Sequence, residues 1–180
     1  MRLFLAINLP LNIKQVLAQE LPCFDYLKFR LIPPENWHIT LKFIGEVDAA
    51  LVPIIREAIK PVVNQFTSFD LTIKDIGFLN HYIFAFDCER SPKLYGLFRI
   101  IDDRLSSRGI VRPENREFRT HITVGRMQVP INSQLHSVRH FDLKTREPVS
   151  FPVESVDLME SELTPQGAVY KIVEKFILTS

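Results

Sequence analysis

One short pattern occurs twice in this 180-residue chain. Asn36-Trp37-His38-Ile39-Thr40-Leu41 and Arg119-Thr120-His121-Ile122-Thr123-Val124 both contain His-x-Thr-x with apolar x, 83 residues apart. On a β-strand, residues i and i+2 share a face. His38 and Thr40 therefore point one way, while Ile39 and Leu41 point the other, into a core; His121 and Thr123 against Ile122 and Val124 repeat the arrangement. A helix-turn-strand context precedes both copies. The chain must therefore place two strands that are each buried on one side and open on the other, which predicts a duplicated unit with approximate two-fold symmetry.

The surrounding periodicity agrees with a mixed fold. Residues 2–8 read as a strand, and Ile13, Val16, Leu17 and Leu21 follow at helical spacing. Trp37–Ile44 reads as a buried strand, and Leu51, Ile54, Ile55, Ala58, Ile59, Val62 and Val63 form a helical stripe, with Pro53 near its start and Pro61 expected to kink or end it. Phe69, Leu71 and Ile73 alternate with polar residues as on a half-exposed strand. His81–Asp87 is expected as a strand with Tyr82, Phe84 and Phe86 on one face. Ser91-Pro92 opens a helix that Gly109 closes. A strand over Phe118–Val124, a short helix over 131–138 and strands near 151–160 and 168–178 complete the pattern. Strands and helices do not alternate as regular βαβ units, so the expected class is α+β with largely antiparallel sheets, residues 1–180 forming one domain.

Composition removes several alternatives. Fourteen Phe and 46% hydrophobic residues exclude a disordered chain. No apolar run approaches the ~18–20 residues that span a bilayer. Twenty-two Lys plus Arg against 21 Asp plus Glu leave a net charge of +1, so any nucleic-acid contact is local. The opening apolar stretch breaks at Asn8 and Pro10 without a small-residue cleavage site, which predicts a core strand rather than a signal peptide. Cys23 and Cys88 belong to no Cys-x-x-Cys pair; the expectation is two reduced thiols in a cytoplasmic protein, neither of them a nucleophile.

Two imidazoles and two hydroxyls facing one groove are what phosphodiester chemistry needs. One general base takes a proton from the attacking oxygen, a general acid protonates the leaving oxygen, and hydroxyl donors hold the non-bridging oxygens. Histidine suits both proton roles because its unperturbed pKa, ~6.5, lies near working pH. From residue types alone the two histidines are interchangeable. A zinc site is the competing reading, but Glu35, Glu46 and Glu117 lie off the histidine face or distant along the strand, so no metal and no cofactor is expected. A nucleotide- or RNA-end-binding module without turnover is the alternative from another class; it has no need of two matched proton-transfer groups.

The sequence resembles the RNA 2′,3′-cyclic phosphodiesterases, also called 2′–5′ RNA ligases, of the 2H phosphoesterase superfamily. The resemblance runs nearly end to end: Arg2-Leu3-Phe4-Leu5-Ala6-Ile7, His38-Ile39-Thr40-Leu41-Lys42-Phe43-Ile44-Gly45, Phe118-Arg119-Thr120-His121-Ile122-Thr123-Val124-Gly125-Arg126, and Leu158-Met159-Glu160-Ser161 followed by Val169-Tyr170. Members usually carry Pro where this chain has Thr120. The resemblance implies a bilobal, pseudo-two-fold fold with two antiparallel sheets lining a central cleft and helices outside. It implies metal-free hydrolysis of RNA 2′,3′-cyclic ends to 2′-phosphomonoesters, with 2′–5′ joining by the reverse chemistry. It assigns His38 as proton donor, His121 as proton acceptor, and Thr40 and Thr123 to phosphate oxygens.

It further suggests that Arg126 contacts phosphate and that Phe43 lies against a base. Strict alternation places Arg126 on the face opposite His121, and a bulge or bend at Gly125 would reconcile the two. Arg108, Arg112, Arg116 and Arg119 line a loop that either guides an RNA backbone or is offset by Glu114 and Glu117. His81, His136 and His140 read as structural or surface residues, and Trp37 and Tyr170 as packing.

Overall fold

Strand β1 (Arg2–Asn8) is buried on both faces, and the rest of the fold assembles around it. Leu3, Leu5 and Ile7 point into the main core, while Phe4 and Ala6 join Met159 in a second, smaller cluster against which Tyr170 packs. The computed structural model describes residues 1–21, 29–127, 140–143, 147–165 and 167–180. The expected helix over 131–138, Cys23 and His136 lie outside them.

Element order after β1 is α1 (Leu11–Glu20), β2 (Phe29–Leu31), a 3₁₀ turn (Pro34–Asn36), β3 (His38–Glu46), α2 (Leu51–Val63), β4 (Phe69–Phe78), β5 (Ile83–Cys88) and α3 (Pro92–Ser106). Then follow β6 (His121–Met127), β7 (His140–Asp142), β8 (Val149–Val153), β9 (Ser155–Thr164) and β10 (Gly167–Ile177). The fold is α+β, with every strand-to-strand ladder antiparallel.

Strand order is β10-β9-β1-β3-β6-β5-β4-β7, with β2 beside β6 and β8 beside β4. The two expected sheets are thus two halves of one curled sheet, joined where β3 meets β6 at a single pair, Ile39 opposite Ile122. The halves exchange chain: β2 lies against the second half, while β9 and β10 complete the first.

The helices follow from local chemistry. Ser91 Oγ accepts the Leu94 amide at 3.2 Å and Pro92 occupies the first turn, which fixes the start of α3. Gly109 beyond its end has φ +70°, a backbone state glycine adopts without Cβ strain. Helix α2 runs through Pro61 and stops two residues later at Val63, so the lost amide donor falls where the helix is ending. β5 starts at Ile83 rather than His81, because His81 and Tyr82 lie exposed in a turn that Asn80 Oδ1 caps by accepting the amides of Tyr82 and Ile83. β6 starts at His121, and the expected strand near 151–160 divides at Glu154 into β8 and β9.

The two central strand pairs are built alike. In the β1–β3 ladder Asn8 faces His38 and Ala6 faces Thr40; in the β5–β6 ladder Asp87 faces His121 and Ala85 faces Thr123. Each ladder then shifts register immediately after the threonine, skipping Leu41 in β3 and Val124 in β6. These are β-bulges, and each puts two consecutive residues, Leu41 with Lys42 and Val124 with Gly125, on the buried side. The residue after each pair, Phe43 or Arg126, returns to the open face.

Lys42 is the exception among these buried residues, being charged and 7% exposed. Its ammonium lies 2.5 Å from Asp102 Oδ1 of α3 and donates to the Arg112 carbonyl at 2.9 Å. Asp102 Oδ2 accepts the Glu114 amide at 3.0 Å. The pair therefore ties the first bulge to the segment that leads into β6.

Candidate active site

His38, Thr40, His121, Thr123, Phe43 and Arg126, the six residues singled out from the sequence, all line one cavity of about 390 Å³. The Ile39–Ile122 pair brings this about. Both isoleucines are buried, so the neighbouring histidines and threonines must face the opposite side. Continuing the antiparallel register sets His38 beside Thr123 and Thr40 beside His121.

Each histidine is held in the same tautomer. His38 Nδ1 lies 2.7 Å from the Asn36 carbonyl, and His121 Nδ1 lies 2.8 Å from the Arg119 carbonyl. A carbonyl only accepts, so both Nδ1 atoms carry hydrogen and donate it, leaving each Nε2 as the ring's acceptor while the imidazole is neutral. His38 Nε2 is 3.1 Å from Thr40 Oγ1, which donates to it while the ring is neutral.

Both orienting carbonyls are themselves anchored. Asn36 Nδ2 donates to the Ala168 carbonyl at 2.9 Å, and the buried Lys14 ammonium donates to the adjacent Glu35 carbonyl at 2.8 Å. Arg119 donates to Asp87 Oδ2 at 3.0 Å.

The environments of the two rings differ. Phe4 and Tyr170 approach His38 with centroid distances of 5.0 and 5.1 Å. Burial is the main reason that His38 is lowered to about 4; the Asn36 hydrogen bond opposes this, and Lys14, His121 and Arg126 add repulsion. His121 is lowered as well, again by burial first, but the nearby Asp87 carboxylate works against that shift while Arg119 and Arg126 reinforce it. The register partners carry this asymmetry: neutral Asn8 opposite His38, its amide donating to buried Asp157 at 2.8 Å, and anionic Asp87 opposite His121.

Arg126 reaches the cavity through the expected bulge, whose two residues are Val124, left without a register partner, and Gly125, opposite Phe84. Phe43 occupies the matching position in the other half, 63% exposed with its centroid 6.0 Å from that of Phe4. Because β3 and β6 run antiparallel from their one pairing point, these two residues mark opposite ends of the cleft.

Tyr170 packs, as expected, and also forms part of the cavity wall together with Phe4, which is not among the site residues singled out from the sequence. The sequence signal for Phe4 is its alternation toward the less hydrophobic side of β1, with Arg2, Ala6 and Asn8. Trp37 is packing: fully buried, donating to the Ile32 carbonyl at 2.8 Å and edge-on to Phe86.

The basic loop is largely neutralised from within, since Arg116 pairs with Glu114 and Arg119 with Asp87. A cavity of about 680 Å³ beside it, between Lys74, Cys88, Tyr95 and Thr120, contains neither motif histidine. Burial pushes the Cys88 thiol up to about 12, so it is no nucleophile. Among the described residues no group of three or more His, Cys, Asp or Glu converges in a way that suits a metal ion, and no helix is long and apolar enough to cross a membrane.

The family profile described as LigT-like phosphoesterase matches residues 7–81 and 87–170, both motif strands included. The chain belongs to this family. A relative from Methanocaldococcus jannaschii, named RNA 2′,3′-cyclic phosphodiesterase, is 32% identical over 98% of this chain and 100% of its own. A crystal structure from Thermus thermophilus superposes on this LigT-like phosphoesterase with a TM-score of 0.79 at 24% identity, covering 98% of this chain and 97% of that one. E. coli LigT crystallised with 3′-AMP is 25% identical, with a TM-score of 0.72 over 99% and 98% of the two chains. The likeness extends from β1 to β10, so the intertwined halves of this LigT-like phosphoesterase are a property of the shared fold.

Proposed function

We propose that the protein hydrolyses RNA 2′,3′-cyclic phosphate ends to 2′-phosphomonoesters, the whole chain acting as one catalytic unit in the cytoplasm. The observation that carries this reading is the pair of symmetry-related imidazoles, each with Nδ1 on a backbone carbonyl, facing one cavity with two threonine hydroxyls. The names of the relatives point the same way.

His121 is the base and His38 the acid. Water attacks phosphorus and passes a proton to His121 Nε2, while His38 gives its Nε2 proton to O3′ as the P–O3′ bond breaks. The product keeps the phosphate on O2′ and gains a 3′-hydroxyl; exchange with solvent resets both rings. The asymmetry of the halves supports this direction. Asp87 stabilises the imidazolium that His121 becomes, whereas the apolar surroundings of His38 make its imidazolium a ready donor. Thr40 and Thr123 hold the non-bridging oxygens, Arg126 meets the charge that grows on them, and Phe43 lies against the terminal base. A 5′-hydroxyl in place of water gives 2′–5′ joining with the same proton transfers.

Purified protein, incubated with a dinucleotide ending in a 2′,3′-cyclic phosphate in the presence of EDTA, should release a 2′-phosphate at an undiminished rate. Phosphorus NMR reads the product. A predominant 3′-phosphate would exchange the two histidine roles, and activity lost to EDTA but restored by a divalent ion would end the two-histidine mechanism.

The pH profile follows from the free-enzyme values. Activity needs His121 neutral and His38 protonated, the reverse of their relative basicities. The productive form is then a minor but constant fraction between about 4 and the lowered value of His121, and declines outside. The kcat/KM optimum therefore lies on the acid side of neutrality. Bound phosphate favours both imidazolium forms, so the kcat profile moves to higher pH. Asp87→Asn removes the charge that raises His121 and should shift the upper limb of kcat/KM to lower pH; an unmoved limb would dissociate Asp87 from the base.

A further inference from the structure

A second cavity, of about 660 Å³, opens from the catalytic one and shares Ile32, Asn36, Arg126, Leu163, Ala168 and Tyr170 with it. It lies at the Arg126 end of the cleft, away from Phe43, between β2 and the tip of the β9–β10 hairpin. Two observations define its chemistry. In the β2–β6 ladder Arg30 is directly opposite Arg126, so two cationic side chains leave the sheet on one face at the mouth shared by the cavities. Gly167 makes room for the first of them: a Cβ there would lie 2.7 Å from Arg30 Nη2. Beside the polar Glu35, Asn36 and Thr164, the cavity walls carry Leu31, Leu163 and Val169 at 53%, 70% and 44% exposure. Single exposed apolar side chains are ordinary, but three around one groove beside a reaction centre form a surface suited to a sugar and a base.

We propose that this groove binds the nucleotide preceding the cyclic end, with its phosphodiester between Arg30 and Arg126 and its sugar and base along Leu31, Leu163 and Val169. This rests on the proposed function, in which the terminal base lies at the Phe43 end, so that the chain leaves toward Arg126. Charge supports the occupant. The protein carries a net charge of only +1, yet here two arginines are register partners in one ladder and outnumber the single carboxylate of Glu35 in the groove lining, a local excess of positive charge that a phosphodiester anion matches. The enzyme then measures a dinucleotide end rather than a cyclic phosphate alone.

The test compares kcat/KM for adenosine 2′,3′-cyclic monophosphate with that for a diadenylate ending in the same cyclic group. One charge-assisted phosphate contact corresponds to a preference of about ten- to hundredfold for the dinucleotide. Arg30→Ala should bring the ratio close to one, and Arg30→Lys should keep part of it. Leu31→Asp, which places a carboxylate at an exposed groove position outside the catalytic cavity, should lower it as well. The ratio is the readout, so a general loss of enzyme quality leaves it unchanged. A wild-type ratio near one, or equal losses on both substrates in Arg30→Ala, overturns the groove assignment. If both substrates are inert the proposed function fails instead, and calorimetric titration with the 2′-phosphate forms of the mono- and dinucleotide decides the groove by the same ratio of affinities.

Discussion

His38→Ala and His121→Ala should each lower kcat by about 10²–10⁴-fold, the usual contribution of one positioned proton-transfer group. The double variant should fall little further, because acid and base act in a single displacement and removing either stalls it. Both substitutions truncate a side chain that lines the cavity, and the strands beneath are fixed by Ile39 and Ile122. Circular dichroism and the thermal midpoint should therefore remain close to those of the parent. Single-turnover measurements separate the chemical step from binding. A variant of either histidine that retains parental kcat would remove that residue from the mechanism and leave the binding-module reading in its place.

The second large effect concerns stability. Lys42→Met leaves the Asp102 carboxylate buried without its ammonium partner and releases the Arg112 carbonyl. Breaking one side of a buried pair costs about 3–5 kcal/mol. Replacing both, as Lys42→Met with Asp102→Leu, should recover much of that, although the Glu114 amide then loses its acceptor. Urea denaturation reads both values. A single-variant loss below about 1 kcal/mol would show that water reaches the pair and that the bulge does not need it.

What the sequence made legible, and what it hid, divides at these bulges. His38, Thr40, His121 and Thr123 could be placed because period-two alternation holds from each histidine to its threonine. Beyond the threonine each ladder skips a residue, and alternation then assigns Lys42, Phe43, Gly125 and Arg126 to the wrong faces. The second bulge is legible only because Arg126 needs one and because glycine is the familiar sign of a bulge; Gly125 is one of its two residues, and Val124 is the one left without a register partner. The burial of Lys42 depends on Asp102, sixty positions later on another element, and no local pattern encodes that pairing. The cavity positions of Tyr170 and Phe4 are hidden because aromatic residues on strands ordinarily pack; here they pack against the His38 imidazole. The three-residue strands β2 and β7 are too short for any periodicity to mark.

Strand β1 lies between β3 and β9, and β9 follows β3 far along the chain. During synthesis from the N-terminus, β1 and β3 emerge early, carrying His38, while one edge of β1 stays unpaired until residues 155–164 have left the ribosome. The ring of Tyr170 and the Ala168 carbonyl that anchors Asn36 come later still. A nascent chain stalled before that point holds the first histidine without its apolar enclosure and exposes an open strand edge to other chains. The enclosure of His38 is thus tied to the emergence of β9 and β10, and a chain stalled before them is the species most open to wrong strand pairing.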